Sequence, residues 1–270
     1  MIILFSNNSL SSFRQTIAEP LAFVPTMGAL HDGHLSLVRA AKHEHFKVIV
    51  SIFVNPLQFN NPEDLLKYPR TIQNDLKLLE ETGVDAVFLP STKDVYPAHH
   101  QSHIKLKNNQ IETVFEGYFR PGHFDGVIQV LHRFFSQIQP DSVFFGQKDL
   151  QQCMVVQLII DEYFPKIKFN IVETSREKSG LAMSSRNLRL SAKELDLAKE
   201  IYTTLINLKS FNQNGVHREI ERLNNLNIQT EYLSYVNLPH FDVPEHPSSN
   251  QAIVYAGYLG QIRLIDNLLL

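Results

Sequence analysis

The chain has 270 residues, 43% of them hydrophobic, and a formal net charge of −3. This size suits either one large α/β domain or a main domain with a small appendage, and we expect two unequal domains. No run rich in lysine or arginine occurs, which argues against a nucleic-acid partner. Cys153 is the single cysteine, which excludes an internal disulfide. The start lacks the basic flank of a signal peptide, and no apolar run approaches the ~18 residues of a membrane helix, so we expect a cytoplasmic protein without membrane association.

Short apolar runs, rich in β-branched and aromatic residues, predict strands that are buried on both faces. They are LAFV (21–24), KVIVSIFVN (47–55), DAVFLP (85–90), DSVFFG (141–146) and KFNIVETS (168–175). Amphipathic patterns between these runs predict helices that include residues 35–41, 76–79, 127–138 and 149–164. Alternating strands and helices indicate right-handed βαβ units, so we predict an α/β fold with a Rossmann-like parallel sheet over residues 1–175.

The pattern changes after residue 190. Ser191 is followed by AKELDLAKEIYTTLINL, an amphipathic helix in which Glu194 completes a capping box. The later runs TEYLSYVNL and QAIVYAGYLGQIRLIDNLLL predict antiparallel strands, with turns over 239–249 and near Gly260. We therefore predict a smaller C-terminal α+β domain, residues 176–270, acting as a lid. The joining segment, 175–187, is either a plain linker or a mobile loop.

Segments that contain polar and charged side chains suited to binding or catalysis follow the predicted strands directly. They are PTMGALHDGH, NPLQF, GQKDLQQ and SREKSGLAMSSRN. One such segment would be an ordinary polar loop. Because ligands of open parallel sheets bind outside the carboxyl ends of the strands, four together favour an active-site crevice.

The first of these segments has the features of an anion site. Pro25 ends the strand, and Gly28 allows a positive φ or close approach of the backbone to a ligand. A helix that starts near His31 directs its N–H groups and positive dipole end into the crevice. His31 and His34 are three residues apart, on one side of the first turn, and both can donate hydrogen bonds to phosphate oxygens.

Other nucleotide-binding and metal-binding sites have similar spacings of glycine or histidine residues. Gly28 and Gly33 match the glycines of a Walker A loop, but His34-Leu35 replaces its Lys-Ser/Thr, and no G-x-G-x-x-G is present. Zinc bound by His31 and His34 with a neighbouring His or carboxylate remains an alternative, although the spacing differs from H-E-x-x-H. Several further histidines receive no function: His43, His45, His99, His100 and His103.

A second cationic set suits a triphosphate. Lys148 supplies a point charge and Arg186 a planar fork, next to the hydroxyls of Ser184 and Ser185. Asp149 either accepts ribose hydroxyls or caps the helix that follows. No G-x-S-x-G motif occurs, which argues against a serine nucleophile.

In order and spacing, the motifs of this chain resemble the pantoate–β-alanine ligase family, nucleotidyltransferases with the HIGH signature. The match runs from about Phe23 to Asn267, over VPTMGALHDGHLSLVR, IFVNPLQF, YPRT, FRPGHFDGV, FGQKDLQQ, GLAMSSRN and RLIDN. The resemblance implies that pantoate attacks the α-phosphate of ATP to give pantoyl adenylate, and that β-alanine then displaces AMP. It also implies Mg²⁺ as the counter-ion of ATP, and a homodimer.

The resemblance also implies roles for individual residues. His34 would be the proton donor with His31 as its partner, and Lys148 would complete the catalytic set. The implied ATP-binding residues are Met27, Gly28, Ala29, Leu30, His31, Asp32, Gly33, His34, Gly146, Gln147, Lys148, Asp149, Ser175, Met183, Ser184, Ser185 and Arg186. The implied residues for pantoate and β-alanine are Pro25, Thr26, Gln58 and Gln152. Asp75, after YPRT, is a candidate magnesium ligand.

The chain departs from this family at three positions. Gln147, Ser179 and Gln129 stand where Glu, Asp and Thr are usual. We expect Gln147 to remove an ion pair at the surface or behind the site, and Ser179 and Gln129 to lie closer to the substrates. Alternative functions are AMP transfer to a phosphorylated acceptor, which needs a cationic acceptor pocket, and ATP sensing, for which backbone N–H groups suffice.

Overall fold

The computed structural model describes residues 1–44, 46–97, 104–107 and 110–270, so His45, His99, His100 and His103 lie outside the described residues. Its strands and helices, in chain order, are β1 (Ile2–Leu4), α1 (Asn7–Thr16), β2 (Leu21–Thr26), α2 (Asp32–His43), β3 (Lys47–Ile52), α3 (Pro62–Lys67), α4 (Ile72–Glu81), β4 (Ala86–Phe88), α5 (Thr92–Val95), α6 (Glu116–Phe119), α7 (His123–Ile138), β5 (Ser142–Gly146), α8 (Leu150–Tyr163), β6 (Lys168–Val172), α9 (Ala192–Asn207), α10 (Gln213–Asn225), β7 (Ile228–Asn237), β8 (Gln251–Leu259) and β9 (Ile262–Leu269). Short 3₁₀ turns occupy Pro56–Gln58, Gln110–Thr113, Gln147–Asp149 and Ser185–Arg189. No helix within the described ranges is long and apolar enough to cross a membrane.

The described residues form two compact units. The first comprises Met1–Gly146 and Gln152–Val172, and the second comprises Gln147–Gln151 and Glu173–Leu270. The sequence-based boundary at residue 175 assigns 147–151 to the first domain. These residues pack with the second unit because Asn267 donates hydrogen bonds to the carbonyls of Gln147 and Lys148.

The sheet of the first unit has the strand order β1-β4-β3-β2-β5-β6, and all of its pairs are parallel. The predicted Rossmann-like architecture is confirmed. Both faces of β2 are covered, as its continuous apolar sequence requires. Ala22 and Val24 belong to the cluster that includes Leu35 and Val38 of α2, whereas Phe23 packs edge-on against Phe134 of α7.

Strands β2 and β5 separate near their carboxyl ends. The β2–β3 ladder continues to Thr26 and Ile52, but the β2–β5 ladder contains only Ala22–Ser142 and Phe23–Val143. The connections also reverse direction here, since β3 lies on one side of β2 and β5 on the other. Ligands of doubly wound sheets bind at such a switch point.

The second unit contains the antiparallel sheet β7-β8-β9 and two longer helices, α9 and α10. Ile201 and Leu205 of α9 pack in one core with Tyr235 and Tyr255 of the sheet. The capping box between Ser191 and Glu194 is present as predicted. The small α+β architecture is therefore confirmed.

Candidate functional site

Asp75 organises the loop that follows β2. Its carboxylate is 1% exposed and accepts hydrogen bonds from the N–H groups of Ala29 at 3.0 Å and Leu30 at 2.9 Å, and from the Thr71 hydroxyl at 3.0 Å. Gly28 and Ala29 have left-handed φ values of 81° and 52°, an arrangement in which successive N–H groups converge on an anion. The chain supplies that anion itself, through Asp75.

This arrangement bears on two expectations for the loop. The N–H groups of Ala29 and Leu30 donate to Asp75, and the predicted role of these residues in ATP binding stays a prediction. Asp75 uses both oxygens to hold the loop, which does not favour it as a magnesium ligand. A Cβ on Gly28 would lie 3.0 Å from Ile52 Cγ2 and 3.1 Å from Asp75 Oδ2, which explains the glycine.

Thr26 closes the start of the same loop. Its hydroxyl donates to the Ser51 carbonyl at 2.7 Å and accepts from the Gly28 N–H at 3.3 Å. Thr26 is buried and the preceding Pro25 is half-buried. The Thr26 side chain therefore shapes the loop, whereas its predicted contact with substrate stays a prediction.

His31 and His34 form a reciprocal cap at the start of α2. The Gly33 N–H donates to His31 Nδ1 at 3.2 Å, and the His31 N–H donates to His34 Nδ1 at 3.4 Å. Since a backbone N–H can only donate, both Nδ1 atoms are acceptors, and the proton of each neutral ring is on Nε2. The ring centroids are 4.1 Å apart, which confirms that both rings lie on one side of the first turn.

The expected zinc alternative gains no support at this turn. Within the ranges that the structure describes, no group of three or more His, Cys, Asp or Glu side chains is arranged to hold a metal ion. Asp32 is exposed and lies 3.5 Å from Arg39. A carboxylate in the first turn also interacts favourably with the helix dipole.

The turn after β3 holds the Gln58 carboxamide in place. Asn55 Nδ2 donates to Gln58 Oε1 at 3.0 Å and to the Gly126 carbonyl at 3.0 Å, and Gln58 Nε2 contacts Met27 Sδ at 3.1 Å. Tyr96 donates to Asn55 Oδ1 at 2.9 Å, and burial raises the pKa of this phenol, which keeps the donor proton in place. The sequence did not identify Asn55, although an Asn before Pro is a typical cap.

The first turn of α7 packs against this Gln58 turn. The buried His123 contacts the Gln58 carbonyl through Nδ1 at 2.9 Å and Arg120 Nη1 through Nε2 at 3.0 Å. A carbonyl only accepts and a guanidinium only donates, so His123 is a neutral ring protonated on Nδ1. A Cβ on Gly126 would lie 2.5 Å from the Leu57 carbonyl. The motif FRPGHFDGV was recognised by resemblance, but these contacts were not predicted.

Gln129 and Gln152 lie further along the helices of the first unit. Gln129 donates to the Ile104 carbonyl at 2.7 Å and accepts from the Ile104 N–H at 3.2 Å. The structure therefore gives Gln129 a role in holding residues 104–107, and its expected proximity to substrate stays a prediction. Gln152 is half-buried on α8, after Gly146 at the end of β5.

In the second unit, the turn that carries Lys148 is fixed by Asn267 of β9. Asn267 Nδ2 donates to the carbonyls of Gln147 and Lys148, both at 2.9 Å, and Gln147 Nε2 donates back to Asn267 Oδ1 at 3.1 Å. Gln147 is only 9% exposed, so of the two expected positions, at the surface or behind the site, the surface position is wrong. Lys148 Nζ is 3.9 Å from Asp149 Oδ2, which is a weak ion pair.

Residues 175–187 form an anchored hairpin rather than a plain linker. The Met183 N–H donates to the Ser175 carbonyl at 2.9 Å, and Arg176 pairs with Ala182. Arg176 donates two hydrogen bonds to Asp266, at 2.6 and 2.9 Å, and stacks 4.0 Å from the Tyr202 ring centroid. These contacts hold the base of the hairpin.

The predicted phosphate-binding residues lie at the end of this hairpin. Ser184 caps the 3₁₀ turn Ser185–Arg189 by accepting from the Arg186 N–H at 3.2 Å. Ser185 is buried, and Ser179 is exposed with its hydroxyl 3.5 Å from the Leu181 N–H. Ser184 to Arg186 are thus adjacent in a defined turn, while Ser179 makes one long contact within the hairpin.

Comparison with known proteins identifies relatives over the whole chain. The family model for pantoate-beta-alanine ligase matches residues 5–269. A pantothenate synthetase of Francisella tularensis subsp. novicida (strain U112) is 38% identical over 271 residues, covering 100% of this chain and 97% of the relative. A pantothenate synthetase of Bdellovibrio bacteriovorus is 39% identical over 265 residues, covering 98% of each.

Comparison with solved structures identifies relatives of the same kind. Pantothenate synthetase from Thermus thermophilus has a TM-score of 0.92 and 34% identity, over 99% of each chain. Pantoate-beta-alanine ligase from Francisella tularensis, complexed with beta-gamma ATP and beta-alanine, has a TM-score of 0.87 and 36% identity, over 100% of this chain and 97% of that one. The chain belongs to the pantoate–β-alanine ligase family.

Proposed function

We propose that this chain condenses pantoate with β-alanine in two steps driven by ATP. In the first step a pantoate carboxylate oxygen bonds to the α-phosphorus, and pyrophosphate leaves. In the second step the β-alanine nitrogen bonds to the acyl carbon, AMP leaves with the bonding electron pair, and the amine loses a proton. The reciprocal cap of His31 and His34 carries the proposal, because both Nδ1 atoms accept backbone N–H groups and the proton of each ring is therefore on Nε2.

His31 and His34 stabilise charge on the α-phosphate during the first step. Each neutral ring donates from Nε2, and negative charge grows on the phosphate oxygens as the carboxylate attacks. Donors that are already oriented by backbone hydrogen bonds need little reorganisation when the charge develops. His34 also serves as the proton donor that the family resemblance implies.

Gln58 and Gln152 orient pantoate without adding charge. A cation at this position would pair with the attacking carboxylate and make it less nucleophilic, whereas a neutral amide binds oxygen atoms and leaves the carboxylate reactive. Asn55 and Met27 contact opposite ends of the Gln58 carboxamide, which limits its rotation. This support favours an orienting role for Gln58.

Lys148, Ser184, Ser185 and Arg186 of the second unit bind the phosphates of ATP. Lysine supplies a compact charge and arginine a fork that matches phosphate oxygens. The Ser184 hydroxyl accepts from the Arg186 N–H, and its own proton stays available for a phosphate oxygen. Movement of this hairpin as a lid belongs to the same proposal.

Magnesium enters as the counter-ion of ATP, bound by phosphate oxygens and water. The described residues offer no cluster that would hold it alone, and Asp75 binds the loop N–H groups. No step above depends on a protein ligand to the ion. We further propose that the enzyme is a cytoplasmic homodimer.

Product analysis with purified protein tests this function. We expect pyrophosphate in an amount stoichiometric with enzyme when ATP and pantoate are mixed, and continuous AMP release only when β-alanine is added. Continuous AMP release that does not need β-alanine would contradict the ligase. Transfer of AMP to a phosphorylated acceptor would identify a nucleotidyltransferase, and ATP binding without any turnover would identify a sensor.

A further inference from the structure

The side-chain amides of Gln147 and Asn267 form a buried hydrogen-bonded pair in which the donor and the acceptor are fixed. Asn267 Nδ2 has two protons, and both are donated, to the carbonyls of Gln147 and Lys148. Its Oδ1 can then only accept, and it accepts from Gln147 Nε2 at 3.1 Å. Position 147 must therefore carry a donor, which glutamine supplies and an ionised glutamate does not.

Asn267 is itself held rigidly on β9. Its N–H donates to Asp266 Oδ1 at 2.8 Å, and its carbonyl accepts from Arg176 Nη2 at 3.1 Å. Burial raises the pKa of Asp266, and the two hydrogen bonds from Arg176 oppose that rise. Two adjacent residues of β9 thus anchor both the Lys148 turn, through Asn267, and the 175–187 hairpin, through Asp266.

The pair acts directly on the backbone of the residue that is proposed to bind ATP. One of the two carbonyls that Asn267 contacts belongs to Lys148, and the other to the residue before it. A rotation of the Asn267 amide would place its oxygen against these carbonyl oxygens and would release the turn. The orientation of Lys148 therefore depends on the donor at position 147.

We propose that Gln147 and Asn267 are positioning residues for ATP, and that this chain requires a hydrogen-bond donor at position 147. The inference rests on the proposed function, since ATP is the ligand concerned. It goes beyond that function because it assigns the donor and the acceptor in a residue pair that acts on ATP through the backbone of Lys148. A glutamate at this position would oppose the Asn267 oxygen.

The test compares Gln147→Glu and Gln147→Met with the wild type. In Gln147→Met one buried neutral hydrogen bond is lost, and kcat/KM for ATP should fall roughly fivefold. In Gln147→Glu the carboxylate faces the Asn267 oxygen, and the fall in kcat/KM for ATP should reach about tenfold or more, because a buried charged group is left without a hydrogen-bond partner. The KM for β-alanine stays within twofold in both variants, because β-alanine enters only in the second step.

Gln251→Glu is the matched control. Gln251 is also buried in the second unit and also donates to an asparagine, Asn237 Oδ1, at 3.0 Å, but its other side-chain hydrogen bond goes to the His246 carbonyl at 2.8 Å. We expect its KM for ATP to stay within twofold even if its melting temperature falls as far as that of Gln147→Glu. An equal rise in the KM for ATP in this control would overturn the inference.

A Gln147→Glu enzyme with wild-type kcat/KM for ATP would also overturn it. If that variant does not fold, the Met variant decides by the same ratio. Calorimetric titration with ATP separates the two proposals: a wild type that binds ATP but makes no AMP refutes the ligase function alone. Equal ATP affinity of wild type and Gln147→Met refutes the positioning role alone.

Discussion

Replacing Asp75 by Asn should disable the first step far more than it destabilises the fold. The carboxylate accepts three hydrogen bonds with two oxygens, whereas the amide has one oxygen and an NH₂ group that faces a donor. At least one charge-assisted hydrogen bond is lost, and such bonds contribute about 1.5–3 kcal/mol each. We expect the free energy of unfolding to fall by about 2–3 kcal/mol.

The effect on catalysis follows from the loop geometry. Ala29 has a φ of 52°, a conformation that costs a non-glycine residue roughly 1–2 kcal/mol and that the Asp75 contacts stabilise. Without them the loop relaxes and moves His31, which follows directly. Misplacement by ~1 Å costs about 100-fold in rate, so kcat/KM for pyrophosphate release should fall by about that factor.

The assay is pyrophosphate release from ATP and pantoate, measured beside urea unfolding. Asp141→Asn is the matched control, since Asp141 also accepts from a backbone N–H, that of Leu21 at 2.8 Å, but at the amino end of β2 rather than in the loop that follows it. It should lose stability and keep its kcat/KM within about threefold. Full activity of Asp75→Asn, or equal losses in both variants, would refute the reasoning.

Further predictions concern the helix cap, the hairpin and acid stability. His31→Asn should keep the melting temperature, since Asn also caps helices, yet lose about 100-fold in adenylate formation, whereas His31→Ala should also lose about 1 kcal/mol in stability on urea unfolding. Gly180→Ala should destabilise the second unit by about 2 kcal/mol or more in thermal unfolding, because φ is 90° and the new Cβ would lie 2.4 Å from Tyr202 Cδ1. Burial tends to raise the pKa of Asp85, but hydrogen bonds from Lys42 and a backbone N–H hold it below the ordinary 3.8. Its stabilisation is therefore complete above pH 3.8 and is lost as the pH falls further, so Asp85→Asn should flatten the acid limb of a stability–pH curve.

The parts of the fold that were predicted are those with a strong local signal. Strand β2 has four consecutive buried apolar residues, and α9 has a complete capping box. Strand β1 was missed because it is three residues long and two of them are exposed. Helix α10 was missed because its sequence is mostly polar and only Gly215 and Leu223 are buried, so the few apolar residues of its inner face were overlooked.

The sequence indicated which segments carry the candidate site residues, and their role stays a prediction, but it did not indicate the contacts within those segments. His31 and Lys148 were each placed after a strand, because each belongs to a short motif that follows its strand directly in the sequence. Asp75 is 45 residues from Leu30, and Asn267 is 119 residues from Lys148. Only the completed fold brings these donors and acceptors together, so no local pattern could have paired them.

The backbone contacts of this loop fit the proposal that two histidines, rather than backbone N–H groups, bind phosphate. The N–H groups of Ala29 and Leu30 bind Asp75, that of Gly33 binds the His31 ring, and those of His34 and Leu35 bind the His31 carbonyl. Most backbone donors of the loop and first helical turn are therefore occupied within the protein. In the proposed reaction, recognition of the α-phosphate therefore falls mainly to side chains, among them the two imidazoles, whose Nδ1 atoms accept from the backbone and whose ring protons are on Nε2.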